Sequence, residues 1–324
     1  MEADLRVSRN EIYSHGTDRK ILPKHQIVIM VVNSARTRVQ ELTSIGRWML
    51  IADECHRTAS LENRKALDGN WVATLGLSAT PERQYDEYFI EILIPMLGEI
   101  IANYSYEQAL SDDVISPFDL HNYAIPLTVE EEGKIQKFTR QILFERKRLE
   151  KINEEESPKL LRLFFARSRV SKLAHYRIPL AAKICQEYLP SKIILFHESI
   201  DQIEILSEYL NSEGYSVCVY HSRLSSRMKE SNLRLFREGH FDILLTCRAL
   251  DEGFNVPAAD VGVIVSSTKS PRQRIQRMGR VLRKAPGKSK SIVVTIFARF
   301  ERLNLENEAQ EMIGISEIMW FGEN

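Results

Sequence analysis

Residues 53–56 read Asp-Glu-Cys-His and follow directly on the apolar run WMLIA at 48–52. A carboxylate pair at the carboxyl end of a parallel strand sits where α/β folds place their ligands. Asp53 can hold a hydrated Mg²⁺ and Glu54 can orient an attacking water, the two tasks that phosphoryl transfer needs. The bland alternative is an exposed loop capping a helix. The apolar run before the pair and His56 after it weigh against that. A second group, Leu77-Ser78-Ala79-Thr80-Pro81, ends the apolar run VATLGLS at 72–78. The hydroxyls of Ser78 and Thr80 can hydrogen-bond neighbouring carboxylates, although alone the segment is an ordinary strand stop with proline as breaker. Far downstream, QRMGRVLR at 276–283 puts Arg280 and Arg283 three apart on one helix face. Such a pair suits clamping a phosphate, against the plainer reading of a solvated basic face. Just before it, DEGFNVP at 251–257 follows the run DILLT. Gly253 there permits close backbone approach to a phosphate or ribose, or simply makes a turn.

The elements that must carry these groups are legible in the hydrophobic pattern. HQIVIMVV, WMLIA and VATLGLS are continuous apolar runs, the signature of strands buried on both faces of a parallel sheet. Thr128 to Glu156 holds eight acidic and seven basic residues around spaced apolar positions, which predicts a long, charged, solvent-facing helix. From Lys192 short apolar runs alternate with helical stretches: KIILFH, SVCVYH, DILLT, VGVIV and SIVVTIF. That alternation implies parallel βαβ units. The residues after Glu301 are acidic and loosely helical in pattern.

Composition sets the outer bounds. At about 150 residues per domain, 324 residues suggest two domains, with 44% apolar residues to fill their cores. The four cysteines form no C-x-x-C pair, which disfavours a zinc site or a disulfide framework and fits reduced thiols in a cytoplasmic protein. No run approaches the ~20 apolar residues of a membrane span. The formal charge is zero, but the balance is local. Residues 269–290 carry nine Lys and Arg and residues 159–183 carry seven, with no acid in either stretch. Basic stretches of this kind neutralise nucleic-acid phosphates, or else solubilise a surface.

Taken together, DECH, LSATPER, DEGFNVP and QRMGRVLR resemble superfamily 2 helicases of the DEAD/DEAH type, with wording close to the XPB-like branch. The resemblance spans roughly residues 20–298. It implies two RecA-like parallel-sheet domains and an ATP-dependent nucleic-acid helicase or translocase, with DNA as the partner by its XPB-like wording. It also implies ATP and Mg²⁺ as cofactors. On that basis Asp53 binds Mg²⁺, Glu54 is the general base, and Arg280 and Arg283 are arginine fingers. Gln276, Gly253 and Asn255 contact the nucleotide, and His56, Ser78 and Thr80 couple hydrolysis to motion.

One departure stands out. The family's Walker A loop, G-x-x-x-x-G-K-[ST], precedes its Asp-Glu pair, and here only Gly16 and Gly46 precede Asp53, neither followed by Lys. Gly287-Lys288-Ser289 is not a substitute, because Leu282 stands where the first glycine belongs. The expectation is therefore an α/β chain whose first RecA-like domain, residues 1–110, is truncated at its amino-terminal end. A connecting helical segment follows at 111–185, then the second RecA-like domain at 186–300 and an acidic tail at 301–324. A separate polypeptide could supply the loop. The rival expectation is a non-catalytic pseudo-helicase that binds nucleic acid or acts as a scaffold.

Overall fold

The chain divides into two units, Met1–Asn103 and Tyr104–Asn324. The computed structural model describes residues 7–14, 20–78, 89–152, 157–247, 259–266, 288–302, 305–306, 310 and 312–322, and of residues 89 and 90 only the backbone. Both units are α/β, and every strand pairing among the described residues is parallel.

In the first unit β1 (Ile12–Ser14) pairs with β2 (Ile27–Ile29), α1 (Val32–Ser44) follows, and β3 (Met49–Ala52) pairs with β4 (Ala73–Gly76). Successive strand residues point to opposite faces, and only one face of β3 finds a core. Leu50 and Ala52 pack with Cys55, Leu67 and Leu93, whereas Met49 and Ile51 are 51% and 59% exposed. The expectation of strands buried on both faces therefore does not hold for β3. Packing partners exist on a single side among the described residues.

The second unit meets that expectation. Helix α2 (Tyr106–Ser111) leads to β5 (Phe118–Ile125). Then come α3 (Val129–Glu150), α4 (Pro158–Lys172), α5 (Arg177–Tyr188), β6 (Ile193–His197), α6 (Ile200–Ser212), β7 (Val217–Tyr220), α7 (Ser226–Glu238), β8 (Ile243–Cys247), β9 (Val261–Ile264), β10 (Ser291–Ala298) and β11 (Glu317–Phe321). Seven strands form one sheet in the order β11-β5-β10-β9-β6-β8-β7. Its central strands separate two cores. Ile193 and Leu195 enter one with Leu206, Leu245 and Val263, and Ile194 and Phe196 enter the other with Phe236 and Leu244. A buried side chain of this size contributes about 1.5–3 kcal/mol, which is why such strands read as unbroken apolar runs.

Two strands lie outside the 186–300 span expected for this sheet. β5, placed by sequence in a helical connector, pairs with β10 over eight residues, and β11, placed in the acidic tail, pairs with β5 over five. The pattern hid β5 because Asp119, His121 and Asn122 interrupt it. All three are buried, and partners reach the first two: Lys290 Nζ lies 2.7 Å from Asp119, and His121 Nδ1 lies 2.5 Å from the Tyr188 hydroxyl.

The long charged helix is α3, and its ends explain its position. The Thr128 hydroxyl accepts the Glu131 N–H while the Glu131 carboxylate accepts the Thr128 N–H, a reciprocal cap. Glu130–Glu132 occupy the positive end of the helix and Lys147 and Arg148 the negative end. No helix among the described residues is long and apolar enough to cross a membrane.

One buried cation ties the second unit together. Arg177, 3% exposed at the start of α5, donates to the carbonyls of Ser171, Val265 and Ile296 at 2.7, 2.7 and 2.5 Å. Its remaining donors reach the Ser171 hydroxyl at 3.1 Å and the Glu301 carboxylate at 2.9 Å. Arg177→Ala strands three carbonyls and a carboxylate, so it is expected to cost about 3–5 kcal/mol, measured by urea unfolding. Lys134→Ala, which removes an exposed pair with Glu130, is expected to cost less than about 1 kcal/mol in the same assay.

Candidate functional site

Backbone bonds between β3 and β4 continue past the ends of the strands. Leu77 N–H donates to Ala52 O and Cys55 N–H donates to Leu77 O, both at 2.9 Å. Those bonds join Leu77 to residues three apart, where a regular parallel ladder spans two, so the chain must take up one extra residue within Asp53 and Glu54. It does so by placing Glu54 in the left-handed region, φ 51° and ψ 43°, a conformation that costs a residue with a Cβ about 1–2 kcal/mol. The Asp53 carboxylate accepts the Glu54 N–H at 2.9 Å and braces the turn. A short 3-10 turn, Cys55–Thr58, follows.

This extra residue brings Glu54, His56 and Ser78 together. His56 Nδ1 lies 3.0 Å from Ser78 Oγ and 3.4 Å from Glu54 Oε2. The imidazole is largely buried, while the Glu54 carboxylate stands partly in solvent. One ring nitrogen thus faces both a carboxylate on the β3 side and a hydroxyl on the β4 side. Cys55 points inward, and burial, reinforced by the Glu54 and Asp53 charges, pushes its thiol up, so it is a packing group and not a nucleophile.

Of the residues singled out by sequence, Asp53, Glu54, His56 and Ser78 are described and adjacent. Thr80, Gly253, Asn255, Gln276, Arg280 and Arg283 lie outside the described residues. Sequence reasoning missed Gly76. A Cβ there would meet Leu97 Cδ1 at 3.0 Å and Cys55 Sγ at 3.1 Å, so glycine lets the end of β4 approach the turn. Its signal was a lone glycine inside an apolar strand. Sequence reasoning also missed a cavity of about 590 Å³ lined wholly by residues of the second unit.

Residues 178–285 match the helicase conserved C-terminal domain. The chain is 26% identical over 275 residues to the DNA 3'-5' translocase XPB2 of Sulfurisphaera tokodaii, covering 80% of this chain and 60% of that protein. It is 25% identical over 310 residues to a Haloarcula marismortui protein named as a DNA 3'-5' helicase, Rad25, covering 94% of this chain and 44% of that protein. The chain thus spans about half the length of these curated relatives. In fold it is similar to a fragment of an HsdR subunit of a type I restriction enzyme from Vibrio vulnificus, with a TM-score of 0.62 and 16% identity, covering 96% of this chain and 54% of that one. It is also similar to the Hef helicase domain of Pyrococcus furiosus, with a TM-score of 0.53 and 17% identity, covering 95% and 85%. The chain is a relative of the XPB-like superfamily 2 helicases, and its α/β parallel-sheet architecture is that of RecA-like helicase domains.

The left-handed turn yields a direct test. Glu54→Gly is expected to be more stable than Glu54→Ala by about 1 kcal/mol, since both lose the carboxylate and only alanine keeps the strained Cβ. Thermal unfolding of the two variants measures it.

Proposed function

We propose that this chain is part of an ATP-dependent DNA helicase or translocase, with Asp53 and Glu54 at its hydrolytic centre. The observation that carries this reading is the placement of Glu54, His56 and Ser78 around one imidazole nitrogen at the ends of two paired parallel strands. The relatives' names, which specify DNA and 3'-5' movement, support the choice of nucleic acid.

Asp53 suits a hydrated Mg²⁺. Among the described residues no cluster of three metal-ligating side chains occurs, so an ion there would take its other ligands from water and nucleotide phosphates, as Mg²⁺ prefers. The ion would supply charge neutralisation at the phosphates. Glu54, partly in solvent, orients the attacking water and accepts its proton. Protonation removes the charge that faces His56, and His56 passes that change to Ser78 at the end of β4. Arg280 and Arg283 act as arginine fingers, Gln276, Gly253 and Asn255 contact the nucleotide, and Thr80 assists Ser78. The four cysteines are buried thiols, as suits action in the cytoplasm.

The phosphates still need a Walker A loop, whose backbone amides cradle them and whose Lys neutralises them. Residues 1–324 contain no such motif, and in this reading sequence outside them, on the same or a separate polypeptide, provides it. The absence of that loop from these residues is also what favours the alternative, a non-catalytic nucleic-acid-binding scaffold.

The two readings separate on one substitution. These 324 residues alone are expected to turn over ATP weakly. With a Walker A-bearing segment supplied, Glu54→Gln is expected to lower DNA-stimulated ATPase by about 100-fold or more while nucleotide binding persists. ATPase and strand displacement that Glu54→Gln leaves unchanged would sink the catalytic reading.

A further inference from the structure

Helices α3 and α4 pack antiparallel as a hairpin. Their seam buries Ile142 and Leu149 against Leu160, with Leu163 and Phe164 beside them. Polar contacts set the register: Arg167 donates to Thr139 at 3.4 Å, and Lys159 meets Glu145 at 2.8 Å. A helix turns about 100° per residue, so Leu143 and Leu161 each point about that far round from the seam residues Ile142 and Leu160 that precede them. In antiparallel helices the two turns swing to the same side of the hairpin. Phe165 follows one helical turn after Leu161, and the register sets Leu143 between the levels of Leu161 and Phe165. Leu143, Leu161 and Phe165 are 55%, 42% and 69% exposed. They form an apolar row on two rigid helices, unlike surface hydrophobes scattered singly.

The charge around this row has one sign. Between Gly133 and Leu149, and between Ser157 and Lys172, the only acid is Glu145, and it is fully buried. Arg140 and Lys147 stand three before and four after Leu143, and Arg162 and Arg169 stand three before and four after Phe165. Those spacings bring side chains together on a helix surface. All four cations are exposed, and none has a carboxylate partner among the described residues.

Helix α6 presents the complement. Ile205 and Tyr209, 49% and 44% exposed, stand four apart, as Leu161 and Phe165 do. Exposed Asp201, Glu208 and Glu213 surround them, and Ile200–Ser212 contains no Lys or Arg. Arg223 meets Asp201 at 2.6 Å, while Glu208 and Glu213 have no cation partner among the described residues. Both rows are exposed in one and the same chain, so neither covers the other. A contact that buries both joins two copies.

We propose that the Leu143–Leu161–Phe165 side of the α3–α4 hairpin docks on the Ile205–Tyr209 side of α6 in a second copy of this chain. The apolar rows meet at the centre, and the hairpin's cations meet the carboxylates of α6 at the rim. An acidic helix suits the hairpin better than a nucleic-acid strand does, because Leu143 and Leu161 are aliphatic and give bases no ring to stack on. The two faces differ, so the contact is head to tail, and it either extends or closes into a ring. Faces this small bury less than about 1,200 Å² in total and make a weak, reversible contact. The proposal is independent of the hydrolytic reading above.

Sedimentation velocity of the full chain tests the contact. The weight-average sedimentation coefficient is expected to rise with protein concentration at low salt, and to fall at about 1 M salt, where charges act over only about 3 Å. Phe165→Ala with Arg162→Glu alters the hairpin, and Tyr209→Ala with Glu208→Arg alters α6, all at exposed positions. Each variant alone is expected to associate at least about tenfold more weakly than the parent chain. Mixed in equal amounts, the two are expected to form heterodimers and nothing larger, since one keeps its α6 and the other its hairpin. That dimer also shows that both variants are folded. A parent chain that stays monomeric overturns the proposal, as do variants that associate undiminished or a mixture that forms no dimer. A monomeric parent whose hairpin variant binds a single-stranded DNA oligonucleotide more weakly assigns the row to nucleic acid instead.

Discussion

The second unit is organised around a charge placed where charges are costly. Removing a guanidinium from water is repaid only when its donors are met, and Arg177 meets them with three carbonyls, a hydroxyl and a carboxylate. The groups it joins lie far apart in sequence: the end of α4, the residue after β9, the interior of β10, and the turn that follows β10. Glu301 completes the arrangement by accepting the Ser171 hydroxyl at 2.5 Å and the Ala298 N–H at 2.8 Å. Helices that could otherwise slide over the sheet are thereby indexed to its carboxyl edge. The same charge helps hold His197 neutral, so a structural constraint also sets the protonation of a residue lining the second unit's cavity.

The first unit is held differently. Among its described residues no buried cation indexes it, and its turn at Asp53 and Glu54 is fixed by two backbone bonds to Leu77 and a left-handed residue. A glycine at position 54 would relax the turn, but it would remove the carboxylate that faces His56. Strained residues of this kind cluster at functional sites, in keeping with the role proposed for Glu54. Gly76 shows the complementary solution, in which a side chain is given up so that β4 can approach Cys55.

Most of the sheet in the second unit was legible in the sequence because its central strands bury both faces, and KIILFH or DILLT therefore cannot hide. β5 and β11 escaped because a strand near an edge can carry Asp119, His121 or Glu317 when partners meet them, and partners are a tertiary fact. The candidate site divides along the same line. Asp53, Glu54, His56 and Ser78 were recognisable as residue types at strand ends. The conformation of Glu54 was not, since nothing in the residue name demands it. The bonds that His197 and His221 make were equally invisible, because whether an imidazole nitrogen finds a partner depends on Ser199 and Glu204 folding beside it.

Net charge needs the same treatment. Residues 159–183 read as seven phosphate-neutralising cations, yet the fold commits most of them elsewhere. Arg177 is buried on carbonyls, Lys159 meets the buried Glu145 at 2.8 Å, Lys172 meets Glu198, and Lys183 faces Glu187 at 3.8 Å. Arg167 lies over the Phe164 ring at 5.7 Å and donates to Thr139. Arg162 and Arg169 remain without a partner among the described residues. Counterion release scales with the cations that reach phosphate, at about 0.7 per contact on a single strand, so in the proposed nucleic-acid complex this stretch would count for two cations and not seven. A basic run is therefore partly an internal fastening, and only the geometry separates the cations that hold the protein from those left to hold a ligand.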